Sequence, residues 1–175
     1  NGLMAYQQAR YKLLFGTSQS SLEEVVALRM ALHLVADLHQ PLHAATRISP
    51  GLPNGDLGGN KAKLPRNQVA RNLHDYWDRG GGFLISRATT KEKACVLEKL
   101  WPCDTQMVDT DATHWLAESH VYAETKVYAF DLSGIKGTKY QSMVYDISGK
   151  RLALAGCRLA AVLNEIAEYG APIVV

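Results

Sequence analysis

The stretch from Ser20 to His43, SSLEEVVALRMALHLVADLHQPLH, decides the fold. Apolar residues at Val25, Leu28, Leu32 and Val35 recur at helical spacing. Ser20 and Ser21, followed by Glu23 and Glu24, offer two overlapping capping boxes, in which a serine hydroxyl and a glutamate each accept from an unpaired backbone N–H. The predicted helix runs to about Gln40, because Pro41 lacks the amide donor and its ring clashes with the preceding turn. Within it His33 and Asp37 stand four residues apart, only roughly 40° apart around the axis, and so face one point. His39 lies roughly 120° away from His33 and should look elsewhere, so its replacement is expected to cost the site little. His43 follows the proline, where the chain can fold back beside the same point.

Outward from this stretch, most segments read as helix. Leu3 to Phe15 carries apolar residues at Leu3, Met4, Tyr6, Tyr11, Leu14 and Phe15 and stops at Gly16, a C-cap signal. From Ala44 to Arg71 glycines and prolines cluster and no apolar period survives, which predicts a long loop with room for a short hairpin. Asn72 can cap a short helix from Leu73 that Gly80-Gly81-Gly82 ends. Thr90 to Leu100 and Thr110 to Tyr128 read as helices, the second with Trp115, Val121, Tyr122 and Val127 as core candidates. Asp131 to Gly149 is turn-rich with a strand expected at Ser142 to Ile147, and Arg151 to Tyr169 closes as an apolar helix. The sum is a mainly α chain with long loops and little sheet, read as a single domain over residues 1–175.

Composition narrows the function. At 175 residues and 47% hydrophobic, the chain can bury a sizeable core. A formal charge of +2 is too balanced for a broad basic face that grips a polyanion, so any nucleic-acid activity must rest on a local site. No apolar run approaches the roughly 20 residues of a membrane span, and the given start, Asn1-Gly2-Leu3-Met4, has no targeting pattern. Cys95, Cys103 and Cys157 have no metal-ligand spacing. Either all three are reduced, or Cys95 and Cys103 pair locally across Trp101-Pro102 in an oxidising compartment and Cys157 takes a partner outside these residues.

His74 and Asp78 repeat the His33/Asp37 spacing on the second short helix. Imidazole nitrogen and carboxylate oxygen are what a borderline cation such as zinc accepts, and five such groups in two paired sets suit a multinuclear site. One His/Asp pair alone would be a surface ion pair worth a few tenths of a kcal/mol. Two pairs, one on a strongly apolar helix where an unpaired charge is costly, favour metal. His39, His114 and His120 read as ordinary surface or core histidines.

The run His33 to His43, then Gly58-Gly59-Asn60, then Asn72-Leu73-His74-Asp75-Tyr76-Trp77-Asp78, resembles the signature of the zinc-dependent class I nucleases. Trp115 to Ser119 and Gly156 to Asn164 are similar to that family's later helical motifs. The resemblance implies a helical phospholipase C/nuclease-like fold holding three zinc ions. It assigns His33 and Asp37 to the first, with Asp37 bridging to a second and serving as the catalytic carboxylate, and His43, His74 and Asp78 to the remaining ion. It further implies hydrolysis of single-stranded RNA or DNA to 5'-nucleotides, removal of 3'-phosphates, and a secreted or lumenal location. Gly59, Asn60 and Lys61 are the candidate wall for a substrate base, since glycine permits close backbone approach.

Family members also supply an N-terminal tryptophan, an Asp and further histidines as ligands, and residues 1–32 contain neither His nor Asp. The resemblance therefore predicts that an N-terminal third is missing and that its ligands come from a separate or excluded segment, leaving this chain to hold one zinc well. With that segment missing, Cys157 is expected to pair with a cysteine in it while Cys95 and Cys103 pair locally. Two rivals stand beside the nuclease. One is the related zinc phospholipase C, whose last ligand pair is His and Glu where this chain has His74 and Asp78; the other is a non-catalytic zinc-stabilised binding module.

Overall fold

A computed structural model of the protein describes residues 1–17, 20–103, 108–130, 135 and 138–170. Among these described residues six α-helices follow in chain order: α1 (Gly2–Phe15), α2 (Ser21–His39), α3 (Leu73–Asp78), α4 (Thr90–Leu100), α5 (Ala112–Tyr122) and α6 (Thr138–Tyr169). Among the described residues the only β pairing is two isolated antiparallel bridges, Ser49 with Leu52 and Lys63 with Asn72, in place of the expected hairpin.

Local signals set the helix ends. Gly16 adopts the left-handed conformation after α1, and the Ser20 hydroxyl accepts from Glu23 N–H at the start of α2. Asn72 caps α3 through Asp75 N–H, and Thr89 with Glu92 forms a full capping box on α4. After α5 the chain widens into a π-helical turn, Ala123–Val127. Val127, at the end of this turn, is fully buried, while Val121, read from sequence as core, is exposed on α5, six residues and so about 240° around the axis from the buried Trp115. The expected strand at Ser142 to Ile147 is helical: α6 begins at Thr138 and absorbs it, together with the closing helix. Val144 and Ile147 are buried three residues apart on one face of that helix, a period that a short apolar run does not reveal. The turns expected at 131–134 and 136–137 lie outside the described residues.

Two apolar cores result. The first joins α1, α2, α5 and α6 through Tyr6, Leu13, Leu34, Val35, Trp115 and Val162. Small side chains at Ala9, Ala27 and Ala31 lie within it, and the buried stripe of α2 passes through them rather than through Val25 and Leu32, which are exposed. The second gathers Leu42, Leu73, Tyr76, Trp77, Tyr140 and Val144, with the Trp77 indole donating to Tyr140 Oη at 3.0 Å. The short 3-10 turn Pro41–His43 carries the chain from one core to the other.

A buried polar network fixes the end of α2. Helix C-termini leave carbonyls unpaired, and here Leu38 O accepts from Ser119 Oγ at 2.6 Å while His39 O accepts from Arg151 Nε at 3.1 Å. Arg151 and Arg158 both donate to Glu118, at 2.5 and 2.7 Å. Arg158 also donates to His39 Nε2 at 2.9 Å, so the other ring nitrogen, Nδ1, donates to Val35 O at 2.7 Å. Burial, aided by the two guanidinium groups, pushes the His39 imidazole down to about 3, so it stays neutral. Glu118 is held down at about 2: partial burial opposes its charge, but the arginine hydrogen bonds outweigh that cost.

The cysteines pair differently from expectation. Cys103 is bonded to Cys157, and Cys95 is a free, exposed thiol on α4. The reason is packing: Leu97 and Trp101 bring α4 against α6 at Gly149, where a Cβ would collide with the Trp101 ring. That carries Cys103 alongside α6 and leaves Cys95 on the outer face.

Two outcomes follow. Non-reducing peptide mapping is expected to recover the Cys103–Cys157 bond with Cys95 alone alkylated, and removing the bond by Cys103→Ser should cost about 4 kcal/mol for a loop of this size. Because its carboxyl lies below its ordinary value of 4.5, Glu118 adds stability that is complete above pH 4.5 and is lost as pH falls towards about 2. Glu118→Gln should therefore melt lower at neutral pH and show a shallower decline over that acid range, read from thermal midpoints against pH.

Candidate metal centre

The two predicted pairs and His43 meet where the cores join. Helical spacing places His33 Nε2 3.2 Å from Asp37 Oδ2 on α2. The turn after Pro41 returns His43 so that its Nδ1 is 3.6 Å from the same oxygen. On α3, His74 Nε2 lies 3.5 Å from Asp78 Oδ2, and the His43 and His74 rings are 4.9 Å apart between centroids. The five side chains thus form a continuous line, with Asp37 between two imidazoles. Ligand atoms of His43, His74 and Asp78 all lie within 4.8 Å of one another, a spacing one cation can span.

The surroundings suit ligation. Burial pushes the His43 imidazole down against the pull of Asp37, favouring the neutral form that binds metal. His74 Nδ1 donates to Gly58 O at 2.7 Å, which leaves Nε2, the nitrogen facing Asp78, with its lone pair free. Gln40 was not singled out from sequence, yet its Nε2 donates to Asp78 Oδ1 at 2.8 Å while its Oε1 accepts from Leu42 N–H. The signal for it was there: a polar residue capping α2 one position before the proline.

His39 faces away from the line, as the helical wheel predicts, but it is 2% exposed and sits in the arginine network, so its replacement would disturb α2 itself. His114 is exposed and bound to Asp109 at the start of α5. His120 bonds Ala44 O at 3.1 Å.

The turn carrying Gly58, Gly59, Asn60 and Lys61 borders the centre through the Gly58–His74 bond. A Cβ at Gly59 would crowd His74 N, Leu73 and Leu42, so this glycine lets the turn dock on α3. Asn60 and Lys61 are the exposed part of the turn, although the Asn60 amide nitrogen is spent on Leu57 O at 2.9 Å. On the other side a cavity of about 250 Å3 opens between Asp37, Gln40, Trp77, Leu84, Arg151 and Leu152.

Comparison with known proteins bears on this arrangement. The chain is 28% identical to Nuclease S1 of Aspergillus oryzae over 86% of its own length and 58% of that protein. It is likewise 28% identical to Nuclease P1 of Penicillium citrinum, covering 86% of this chain and 61% of the relative, and 27% identical to Endonuclease 1 of Arabidopsis thaliana, covering 86% and 52%. The chain thus spans between half and two thirds of the length of these curated relatives. No solved structure matches it. The S1/P1 nuclease family model matches residues 4–168, nearly the whole chain including all five clustered side chains, and the protein belongs to that family.

Proposed function

We propose that the protein is a zinc-dependent phosphoesterase that cleaves single-stranded RNA or DNA to 5'-nucleotides and removes 3'-phosphates, with zinc held by His33, Asp37, His43, His74 and Asp78. The observation that carries this reading is the line of three imidazoles and two carboxylates, in a chain whose family is that of the S1/P1 nucleases. The donor set fits zinc: nitrogen and carboxylate oxygen, with the far nitrogen of His74 already bonded to a carbonyl.

His43, His74 and Asp78 hold one ion, with room for water. His33 and Asp37 would begin the shell of another, Asp37 would also serve a third, and the ligands still needed would come from polypeptide outside these residues. The greater length of the relatives supports that division. Bound zinc supplies a nucleophilic water near neutral pH and stabilises charge on the phosphate and the leaving oxygen. The chain's own groups do the rest. Gln40 holds one oxygen of Asp78 and so aims the other at His74. Asp37 offers one oxygen to both neighbouring imidazoles, a placement that offsets repulsion between adjacent cations. Lys61 meets the phosphate backbone and the Gly59–Asn60 turn walls a base, a local grip consistent with the near-neutral charge. The disulfide supports a secreted or lumenal location, where such bonds persist. No helix among the described residues is long and apolar enough to cross a membrane.

One preparation assayed against single-stranded DNA, a synthetic 3'-nucleotide and phosphatidylcholine, with its metal content measured, tests the reading. Hydrolysis of the first two is expected. Preference for phosphatidylcholine would identify a phospholipase, and bound zinc without hydrolysis a binding module. In protein that carries the complete ligand set, Asp37→Asn should reduce turnover about 100-fold or more and loosen two ions together. His114→Ala, on the exposed start of α5, should leave both unchanged. His74→Ala should lose the ion of the triad; equal zinc content in that variant and the unaltered protein would overturn the assignment.

A further inference from the structure

We infer that Asp56 is a positioning residue for the metal centre, acting through Thr46 and the Gly58 peptide to hold His74. The inference rests on the proposed binding of zinc by His43, His74 and Asp78. Asp56 is fully buried, outside both ligand pairs and distant from them in sequence. Its Oδ1 accepts three hydrogen bonds: from Thr46 Oγ1 at 3.2 Å, Arg47 N–H at 3.0 Å and Tyr128 Oη at 3.0 Å. The Thr46 hydroxyl, having given its proton to Asp56, accepts in turn from Gly58 N–H at 3.3 Å. The carbonyl of the same residue accepts from His74 Nδ1 at 2.7 Å. A buried charge is thus linked to a candidate ligand through one hydroxyl and one residue's backbone.

The turn needs this anchor. Leu57, Gly58 and Gly59 are three consecutive left-handed residues, with φ of 55°, 61° and 84°. A leucine in that region is strained and persists only where its surroundings dictate it. Asp56 also pins the turn through its backbone, its N–H donating to Arg47 O and its carbonyl accepting from Lys61 N–H, both at 3.0 Å. Arg47 stacks over the Tyr128 ring at 5.0 Å, closing the pocket around the carboxylate. Burial works against ionisation of Asp56, yet the hydrogen bonds from Arg47, Tyr128 and Thr46 hold its carboxyl below the ordinary value, so it remains the acceptor that the relay requires.

The test measures zinc affinity by chelator competition and the visible bands of the cobalt-substituted protein, which report ligand geometry. The variants are Asp56→Ala, Thr46→Val and Thr46→Ser. Asp56→Ala and Thr46→Val should each weaken zinc at the triad by about 10-fold or more and shift the cobalt bands, whereas Thr46→Ser, which keeps the hydroxyl, should restore both. Val162→Ala, in the other core, should lower the melting midpoint without moving either readout, separating positioning from stability alone. If Asp56→Ala does not fold, the near-isosteric Thr46→Val decides. A folded Thr46→Val with unaltered affinity and cobalt spectrum overturns this inference alone; an unaltered protein that takes up no zinc overturns the proposed function and this inference with it.

Discussion

The pairing of Arg151 and Arg158 with Glu118 underlies the geometry of the centre. The two buried guanidinium groups share the partly exposed Glu118 carboxylate and, at the same time, bind the ring of His39 and the last carbonyl of α2. Removing Glu118 would leave two buried guanidinium groups without their counter-charge. The helix end so fixed is where Asp37, Gln40 and the turn to His43 are set. Positive charge at a helix C-terminus also complements its dipole, so the anchor works with the helix. The arginines come from α6, more than a hundred residues away in sequence, so the centre is complete only once the last helix has docked.

The ligand frame rests on two kinds of support. His33 with Asp37, and His74 with Asp78, are aligned by helical spacing alone and need no distant partner. His43 depends on the 3-10 turn, the Asp78 carboxylate on Gln40, and the His74 ring on a loop carbonyl. Tuning of the site therefore resides in groups outside the ligand set, where a change of one hydrogen bond alters ligand orientation without altering ligand identity.

The same division explains what could be read in the sequence. Helix existence, the stop at Pro41, the caps at Gly16, Ser20 and Asn72, and both His/Asp pairs are consequences of local chemistry, and all are observed. The buried face of α2 was misjudged because its core positions include Ala27 and Ala31, whose small side chains carry little apolar signal. Ser142 to Ile147 looked like a strand because a short apolar run fits either period. The cysteine partner, the Arg–Glu–His39 network and the roles of Gln40 and Asp56 depend on contacts between distant segments. No spacing rule announces such contacts, as the sequence separation of 72 between Asp56 and Tyr128 shows.

The Cys103–Cys157 bond joins positions 54 residues apart and encloses α5 and α6 from Thr138 to Cys157. A protease cutting the backbone once between Glu118 and Arg151 would produce a nicked protein whose pieces stay covalently tied, one with Glu118 and the His/Asp line, the other with Arg151 and Arg158. Cut after Tyr128, it would run as one species without reductant and as two with it. The arginine clasp would then be the polar hold between the pieces at the end of α2, beside the apolar packing of α6 on the first core. Nicking and reduction together would probe that clasp in a way that neither does alone.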